Sequence, residues 1–380
     1  MRSKLSGVSE GGNAGNRIGF RGVEDLGGGK KASFVIEQGI NITSGALFST
    51  RAAAGGQQYE GLQGASGNMP EAAYSTNTNR QSYVGFSGGF GEIRGGFQYT
   101  NLYQLSTLDG YMVGSEQPGS DVAHTFDNAT FGGTRSTGLT YILPAMGAFS
   151  ANIQHSGAAN AGSRESAEFN AAATNTANGR TEDKAKRDSF KIDYAQGPLK
   201  ASLAYSAFTV KQTAGATQQT CTMSAGVPTC AITPPQVFSI FNAASYTTAA
   251  GIAANDYKGT LTQLGARYDL GTVRLSGTYN DGKKVAAAAA DGRSHKAYQV
   301  GVEGVFGAIR PYATMGKATL KNTSTGADAN DFKQSQFGVR YDLSKRTVGY
   351  VMTGSVKDSV ATTTTLAKRE FTAVGLMHSF

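Results

Sequence analysis

The chain has 380 residues, with 51 glycines, no tryptophan and an apolar fraction of 39%. It carries 35 Lys and Arg against 27 Asp and Glu, but it has no long basic run and no zinc-finger spacing, which argues against nucleic-acid binding. No stretch reaches the roughly 18 uncharged apolar residues that a membrane-spanning helix needs.

Apolar and polar residues alternate with period two along most of the chain, which predicts about fifteen strands. Most are near the roughly 9 to 11 residues of a tilted membrane-spanning strand. The predicted strands lie near 17–23, 31–38, 81–87, 91–100, 136–143, 147–156, 187–195, 198–208, 261–269, 272–280, 296–306, 309–320, 334–342, 346–357 and 365–380.

Successive strand side chains point to opposite faces, so each predicted strand has an apolar and a polar side. The representative apolar faces are Phe190/Ile192/Tyr194, Leu264/Ala266/Tyr268, Val273/Leu275/Tyr279, Tyr298/Val300/Val302, Phe337/Val339/Tyr341 and Val348/Tyr350/Met352. The charged residues predicted on the opposite faces are Arg17, Arg21, Arg94, Lys191, Lys200, Arg267, Arg274 and Arg340, with Glu37, Asp193, Asp269, Glu303 and Asp342.

A Lys or Arg at the bilayer midplane costs about 2–4 kcal/mol, so the charged faces are expected to meet water and the apolar faces lipid. A polar interior with an apolar exterior predicts an all-β fold, a transmembrane antiparallel β-barrel. A secreted soluble all-β protein has the same bulk composition, and it is the alternation that favours the barrel.

Short turns and long polar loops alternate between the predicted strands, as in an up-and-down barrel in an asymmetric membrane. The long loops are near 39–80, 101–135, 157–186, 209–260, 281–295 and 321–333. We expect one barrel domain over residues 1–380, with 209–260 as a long extracellular loop. Without tryptophan, 17 Tyr and 19 Phe must form the aromatic girdles at the membrane interfaces.

The odd number of predicted strands leaves the first and the last running in the same direction. An antiparallel barrel with both ends on one side needs an even number, so we expect a signal peptide and one further strand upstream of residues 1–16. A barrel with a natively odd strand number is the alternative.

Cys221 and Cys230 bracket a polar stretch inside the 209–260 loop. An even pair in an exposed loop suits an oxidising compartment, so we expect a small disulfide-closed loop there. Two free thiols are the alternative.

Several stretches resemble the trimeric Gram-negative general porins, in particular the sixteen-stranded β-proteobacterial type. Residues 17–29, RIGFRGVEDLGGG, are similar to that family's second strand and first turn, and residues 79–94 to its fourth and fifth strands. Residues 341–347, YDLSKRT, and 374–380, VGLMHSF, are similar to its closing hairpin.

The resemblance implies that the loop at 101–135 folds into the barrel and narrows it, with acids opposite a basic cluster on the wall. Arg17 and Arg80 match arginines of that cluster, and Arg135 nearly matches a third. Phe97 and Met377 stand where the family has further arginines, so we expect a weaker basic ladder. The pore basic cluster is therefore predicted as Arg17, Arg21, Arg80, Arg94 and Arg135, and the loop acids as Asp109, Glu116, Asp121 and Asp127.

These features predict a passive, water-filled channel of the outer membrane for small hydrophilic solutes, with mild anion preference and no cofactor or metal. We expect a homotrimer that contacts outer-membrane lipid and lipopolysaccharide, with Phe380 as a signal for the barrel-assembly machinery. The alternative is a barrel whose loops at 39–80 and 209–260 serve adhesion. Catalysis is not expected, because the four histidines form no catalytic or metal-binding motif.

Overall fold

The structure is a computed structural model. It describes residues 16–40, 50–51, 74–75, 79–105, 111, 135–158, 183–212, 219–224, 227–232, 257–286, 292–323, 325–326, 328–360 and 367–380. Within these ranges no helix has the length and apolar character to cross a membrane.

Nearly all of the described chain is β-strand, as the period-two alternation predicts. The strands are β1 (Arg17–Gly27), β2 (Lys30–Gly39), β3 (Thr50–Arg51), β4 (Tyr74–Ser75), β5 (Asn79–Gly88), β6 (Gly91–Tyr99), β7 (Arg135–Ile142), β8 (Phe149–Ala158), β9 (Asp183–Gln196), β10 (Leu199–Gln212), β11 (Gln219–Ser224), β12 (Val227–Ile232), β13 (Tyr257–Asp269), β14 (Val273–Ala286), β15 (Arg293–Gly304), β16 (Ile309–Asn322), β17 (Asp328–Asp342), β18 (Thr347–Val360) and β19 (Ala367–His378). A single short helix in these ranges, α1 (Asn101–Tyr103), follows β6.

One sheet of 15 strands contains every segment that the sequence predicts as a strand, in the order β1-β2-β5-β6-β7-β8-β9-β10-β13-β14-β15-β16-β17-β18-β19. All neighbouring strands are antiparallel, and within this sheet the strands keep their order along the chain, with β3–β4 and β11–β12 set apart between β2 and β5 and between β10 and β13. β1 and β19 are the two ends of this order, and no ladder joins them within the described residues.

Four short strands, β3, β4, β11 and β12, were not predicted from the sequence. β3 pairs with β4, and β11 pairs with β12, each as a separate two-stranded sheet. The large strands also run further than predicted: β10 continues to Gln212 and β13 begins at Tyr257, so the loop predicted at 209–260 is shorter at both ends.

Tight turns connect the strands at one end of the sheet. Gly197 and Gly307 in two of these turns have φ values of 57° and 61°, a left-handed conformation that glycine adopts without the steric penalty of a side chain. The long connections lie at the opposite end of the strands.

The two faces of the sheet have opposite chemistry. One face exposes large apolar side chains, including Leu264, Leu275, Val300 and Phe337, while the other face buries polar ones such as Gln336. The chain that follows β6 packs against the polar face, which identifies it as the inside. The molecule is therefore apolar outside and polar inside.

The predicted outward face of β18 was wrong. Met352 is 2% exposed and packs with Tyr312 and Tyr350 on the inner face, while Val351 points outward and is 47% exposed. Val348, Tyr350 and Met352 form the more apolar row of β18 in sequence, but their register opposite Asp342, Arg340 and Gly338 places them inside.

Candidate functional site

The chain leaves the sheet after β6 and crosses its inner face. The side-chain amide of Gln154 on β8 donates a hydrogen bond to the backbone carbonyl of Tyr99, at 3.1 Å. Thr100 caps α1 by accepting from the backbone N–H of Tyr103, and the Asn101 amide donates to the Ser189 hydroxyl of β9 at 3.2 Å. The start of the 101–135 loop is therefore attached to the inner wall.

Beyond α1 the same segment packs against β13. Leu105 and Tyr111 are both buried, and their side chains lie over Gly265 on the inner face. A Cβ atom at Gly265 would lie 2.6 Å from the Tyr111 ring. The glycine thus lets the loop approach the wall more closely than any other residue would.

Arg80, Glu37 and Tyr99 form a hydrogen-bonded group beside the start of the loop. The Arg80 Nε lies 2.6 Å from Glu37 Oε1, and its Nη2 donates to the Tyr99 hydroxyl at 3.0 Å. The Tyr99 hydroxyl in turn donates to Glu37 Oε1 at 2.7 Å. Arg17 approaches the same carboxylate at 3.9 Å.

A β-bulge directs Arg80 toward this group. Glu37 pairs with Gln81 and Gln38 pairs with Asn79, so Arg80 is the extra residue on β5. A bulge changes the direction of a side chain that strict alternation would place on the other face.

Aromatic rings hold Arg135 beside the same group. Its guanidinium lies 5.2 Å from the ring centre of Tyr99 and 5.9 Å from that of Tyr103, and the two rings stack 4.8 Å apart. Cations are attracted to aromatic faces at these distances. Three predicted members of the basic cluster, Arg17, Arg80 and Arg135, therefore come together around Glu37 and Tyr99.

The other two predicted members lie elsewhere on the inner face. Arg94 forms a two-point ion pair with Glu92 at 2.8 and 2.9 Å and lies over the Tyr83 ring. Arg21 is four residues from Arg17 on β1, about 13 Å along the strand, opposite Val35. Neither contacts the group around Glu37.

The predicted loop acids, Asp109, Glu116, Asp121 and Asp127, lie outside the described residues, so they stay predictions.

A second charged network lines the inner wall near the tight turns. Glu303 is almost fully buried and lies 2.7 Å from Arg340 and 3.5 Å from Arg274. Arg274 also pairs with Asp269 at 2.9 Å. Arg310, which was not predicted from the sequence, also belongs to this network and pairs with Asp342.

The inward carboxylates of the described strands are largely neutralised. Those ion-paired to inward bases are Glu37, Glu92, Asp193, Asp269, Glu303 and Asp342. By register, Arg21, Lys200 and Arg267 also face inward, and no described carboxylate lies within ion-pair distance of them. Positive charge therefore dominates the described inner face.

The structure describes only the backbone at the two cysteines. Cys221 and Cys230 are directly opposite partners in the β11–β12 hairpin, a register that brings two Cα atoms close together. The disulfide itself stays a prediction.

Phe380, which follows β19, is fully exposed, and its ring centre lies 4.8 Å from that of His378.

An apolar exterior, a polar ion-paired interior and a loop packed against the inner wall are the features of a membrane β-barrel with an aqueous interior. No group of three His, Cys, Asp or Glu in the described part of the chain could hold a metal ion.

The chain belongs to the Gram-negative porin family, whose model matches residues 4–233 and 237–361. It is 28% identical over 166 residues to the major outer membrane protein P.IB of Neisseria gonorrhoeae. That match covers 42% of this chain and 38% of the relative, so the chain is aligned with less than half of this relative's length.

Two solved structures have a similar fold. The anion-selective porin from Comamonas acidovorans matches with a TM-score of 0.60 at 21% identity, over 97% of this chain and 90% of that one. A loop-deletion mutant of the Vibrio cholerae outer membrane protein OmpT matches with a TM-score of 0.59 at 14% identity, over 96% and 91% of the two chains.

Proposed function

We propose that this chain forms a water-filled channel through the outer membrane of a Gram-negative bacterium, for passive diffusion of small hydrophilic solutes and ions. The observation that carries the proposal is the reversal of chemistry across the sheet, with ion pairs inside and large apolar side chains outside. Buried charges need water or partners, so the inner face is suited to an aqueous lumen. No catalytic step and no energy source are required.

The proposed channel prefers anions mildly. Arg21, Lys200 and Arg267 add positive potential to an inner wall whose carboxylates are largely paired, and a positively charged cleft raises the local concentration of anions. The similar fold of the anion-selective porin from Comamonas acidovorans supports this direction.

The loop at 101–135 narrows this channel. Its first residues bind the inner face of β8 and β9, and the Tyr111 side chain packs against Gly265 of β13. The described part of the loop therefore reaches across several strands of the wall. The candidate acids of the loop would then face the group around Glu37, and the loop at 209–260 would lie on the extracellular side.

The proposed assembly is a homotrimer in contact with outer-membrane lipid and lipopolysaccharide. We further propose that the exposed Phe380 is read by the barrel-assembly machinery during insertion.

Planar-bilayer recordings test the channel. We expect stable conductance steps in groups of three. In a salt gradient we expect a small reversal potential whose sign indicates anion preference, and this potential should decline as ionic strength rises. A correctly folded protein that never conducts would contradict the channel, whereas a cation-signed reversal potential would contradict only the anion preference.

A further inference from the structure

The outer face of β16 to β19 carries a row of lysines at one height. Lys317 pairs directly with Lys333, Lys333 with Lys357, and Lys357 with Lys368. Adjacent strands are about 4.8 Å apart, so these four backbone positions span about 14 Å. We call Lys317, Lys333 and Lys357, whose side chains the structure describes, the lysine row.

The lysine row faces away from the lumen. On β17, Lys333 shares its side with Ser335 and the 63% exposed Phe337, while the alternate residues Gln334 and Gln336 are buried inside. On β16, the next outward residue below Lys317 is Met315, which is also well exposed. The row therefore lies at the edge of the apolar outer band, on the side of the long loops.

Few described carboxylates neutralise the row. Lys317 lies 3.3 Å from Asp331, whose carboxylate also accepts a hydrogen bond from Thr319. In the part of the chain that the structure describes, no carboxylate lies within ion-pair distance of Lys333 or Lys357. Like charges directly opposite on adjacent strands repel, so the pairing has no structural benefit of its own.

Two other outward lysines have acidic partners. Lys296 lies 3.4 Å from Asp281, and Lys186 lies 3.1 Å from Asp188, which also contacts His155 at 2.6 Å. Unlike Lys296 and Lys186, Lys333 and Lys357 have no described carboxylate within ion-pair distance, so the lysine row has a surplus of positive charge.

We propose that the lysine row binds the phosphate groups of anionic lipids in the surrounding leaflet. Lysine ammonium groups bind phosphate as point charges, and basic side chains at a membrane surface attract anionic headgroups. Met315 and Phe337 lie below the row, where they would contact the acyl chain of the same lipid. Both parts of an amphiphilic phosphate ester therefore find a complementary surface.

The proposal rests on the proposed function only in placing lipid against this face. A second copy of the chain is a less suitable occupant, because it would have to present acidic residues to the row. The described outward residues of these strands include only two acids, Asp331 and Glu370.

Native mass spectrometry of the full chain in detergent tests the proposal. We expect the wild type to retain phosphatidylglycerol in preference to phosphatidylcholine, and the double variant Lys333→Ser/Lys357→Ser to lose roughly tenfold or more of that preference. The double variant Lys186→Ser/Lys283→Ser removes two outward charges from separate strands and should keep it. Lys333→Arg/Lys357→Arg should also keep it, which separates loss of charge from loss of fold.

Equal lipid retention by the wild type and the Lys333/Lys357 serine variant would overturn the proposal. Displacement of the lipid by an equimolar amount of inorganic phosphate would overturn the lipid assignment, because the headgroup alone would then account for binding. A serine variant with changed oligomer mass but unchanged lipid retention would assign the row to a subunit contact. Conductance of the same samples reports on the channel separately, so either proposal can fail alone.

Discussion

The Tyr111 ring lies directly over Gly265 on the inner face of β13, at a distance that excludes a side chain at residue 265. This contact joins the loop that follows β6 to a strand far along the sheet. It is the most distant point of the wall that the described part of the loop reaches.

Substitution of Gly265 is expected to release the loop. In Gly265→Ala the new Cβ would meet Tyr111 at 2.6 Å and Leu105 at 3.2 Å, so the loop must shift. We expect more variable single-channel conductance steps with an unchanged barrel. Gly349→Ala is the control, because the nearest atom to its Cβ is a flexible Leu343 side chain at 3.7 Å. Steps as uniform as those of the wild type would show that the contact does not hold the loop.

The ion pair between Arg80 and Glu37 predicts opposite effects on selectivity. Glu37→Gln leaves the charges of Arg80 and Arg17 without their shared carboxylate and should increase anion preference. Arg80→Ser removes a positive charge and should decrease it. The measurement is the reversal potential in a salt gradient, with Arg346→Ser as a control that removes an equal charge from an exposed turn. Shifts in the same direction for both variants would rule out a role for this group in selectivity.

Alternation in the sequence predicts where the strands lie but not every direction of their side chains. The positions of all fifteen large strands follow from period two. The bulge at Arg80 breaks that period locally and directs Arg80 toward Glu37, and Gly96 in β6 has a positive φ of 134°. Neither is visible in composition, because a bulge depends on the register of the neighbouring strand.

The error in β18 has a different cause. Hydrophobicity distinguishes lipid from water, but an inner wall can also hold apolar clusters. The Tyr350 ring covers Gly375 of β19, where a Cβ would overlap the tyrosine hydroxyl, and Tyr312 similarly covers Gly338. Large side chains that cover glycines on adjacent strands form apolar clusters on the inner wall. The sequence pattern predicts lipid contact for the same residues because they are apolar. The inward face of such a strand can be identified only from its pairing.

Removal of the carboxylate shared by Arg274 and Arg340 should destabilise the barrel. In Glu303→Ala both arginines lose a partner, although Arg274 keeps Asp269 and both stay partly in contact with water. We expect a loss of about 1–3 kcal/mol in unfolding free energy. Unfolding in guanidinium measures it, with the exposed Glu24→Ala as a control that should change stability by less than about 0.5 kcal/mol. Equal stability of the two variants would show that the lumen fully screens the network.

The register of β11 and β12 predicts a disulfide between Cys221 and Cys230 in protein isolated under oxidising conditions. Alkylation of the unfolded protein should add no mass before reduction and two alkyl groups after it. Because this hairpin is a sheet of its own, Cys221→Ser/Cys230→Ser should leave the unfolding of the 15-stranded sheet unchanged within about 0.5 kcal/mol. Protease cleavage within residues 219–232 should become faster in the same variant, because the crosslink no longer limits opening of the hairpin. Alkylation without prior reduction would show that both thiols are free.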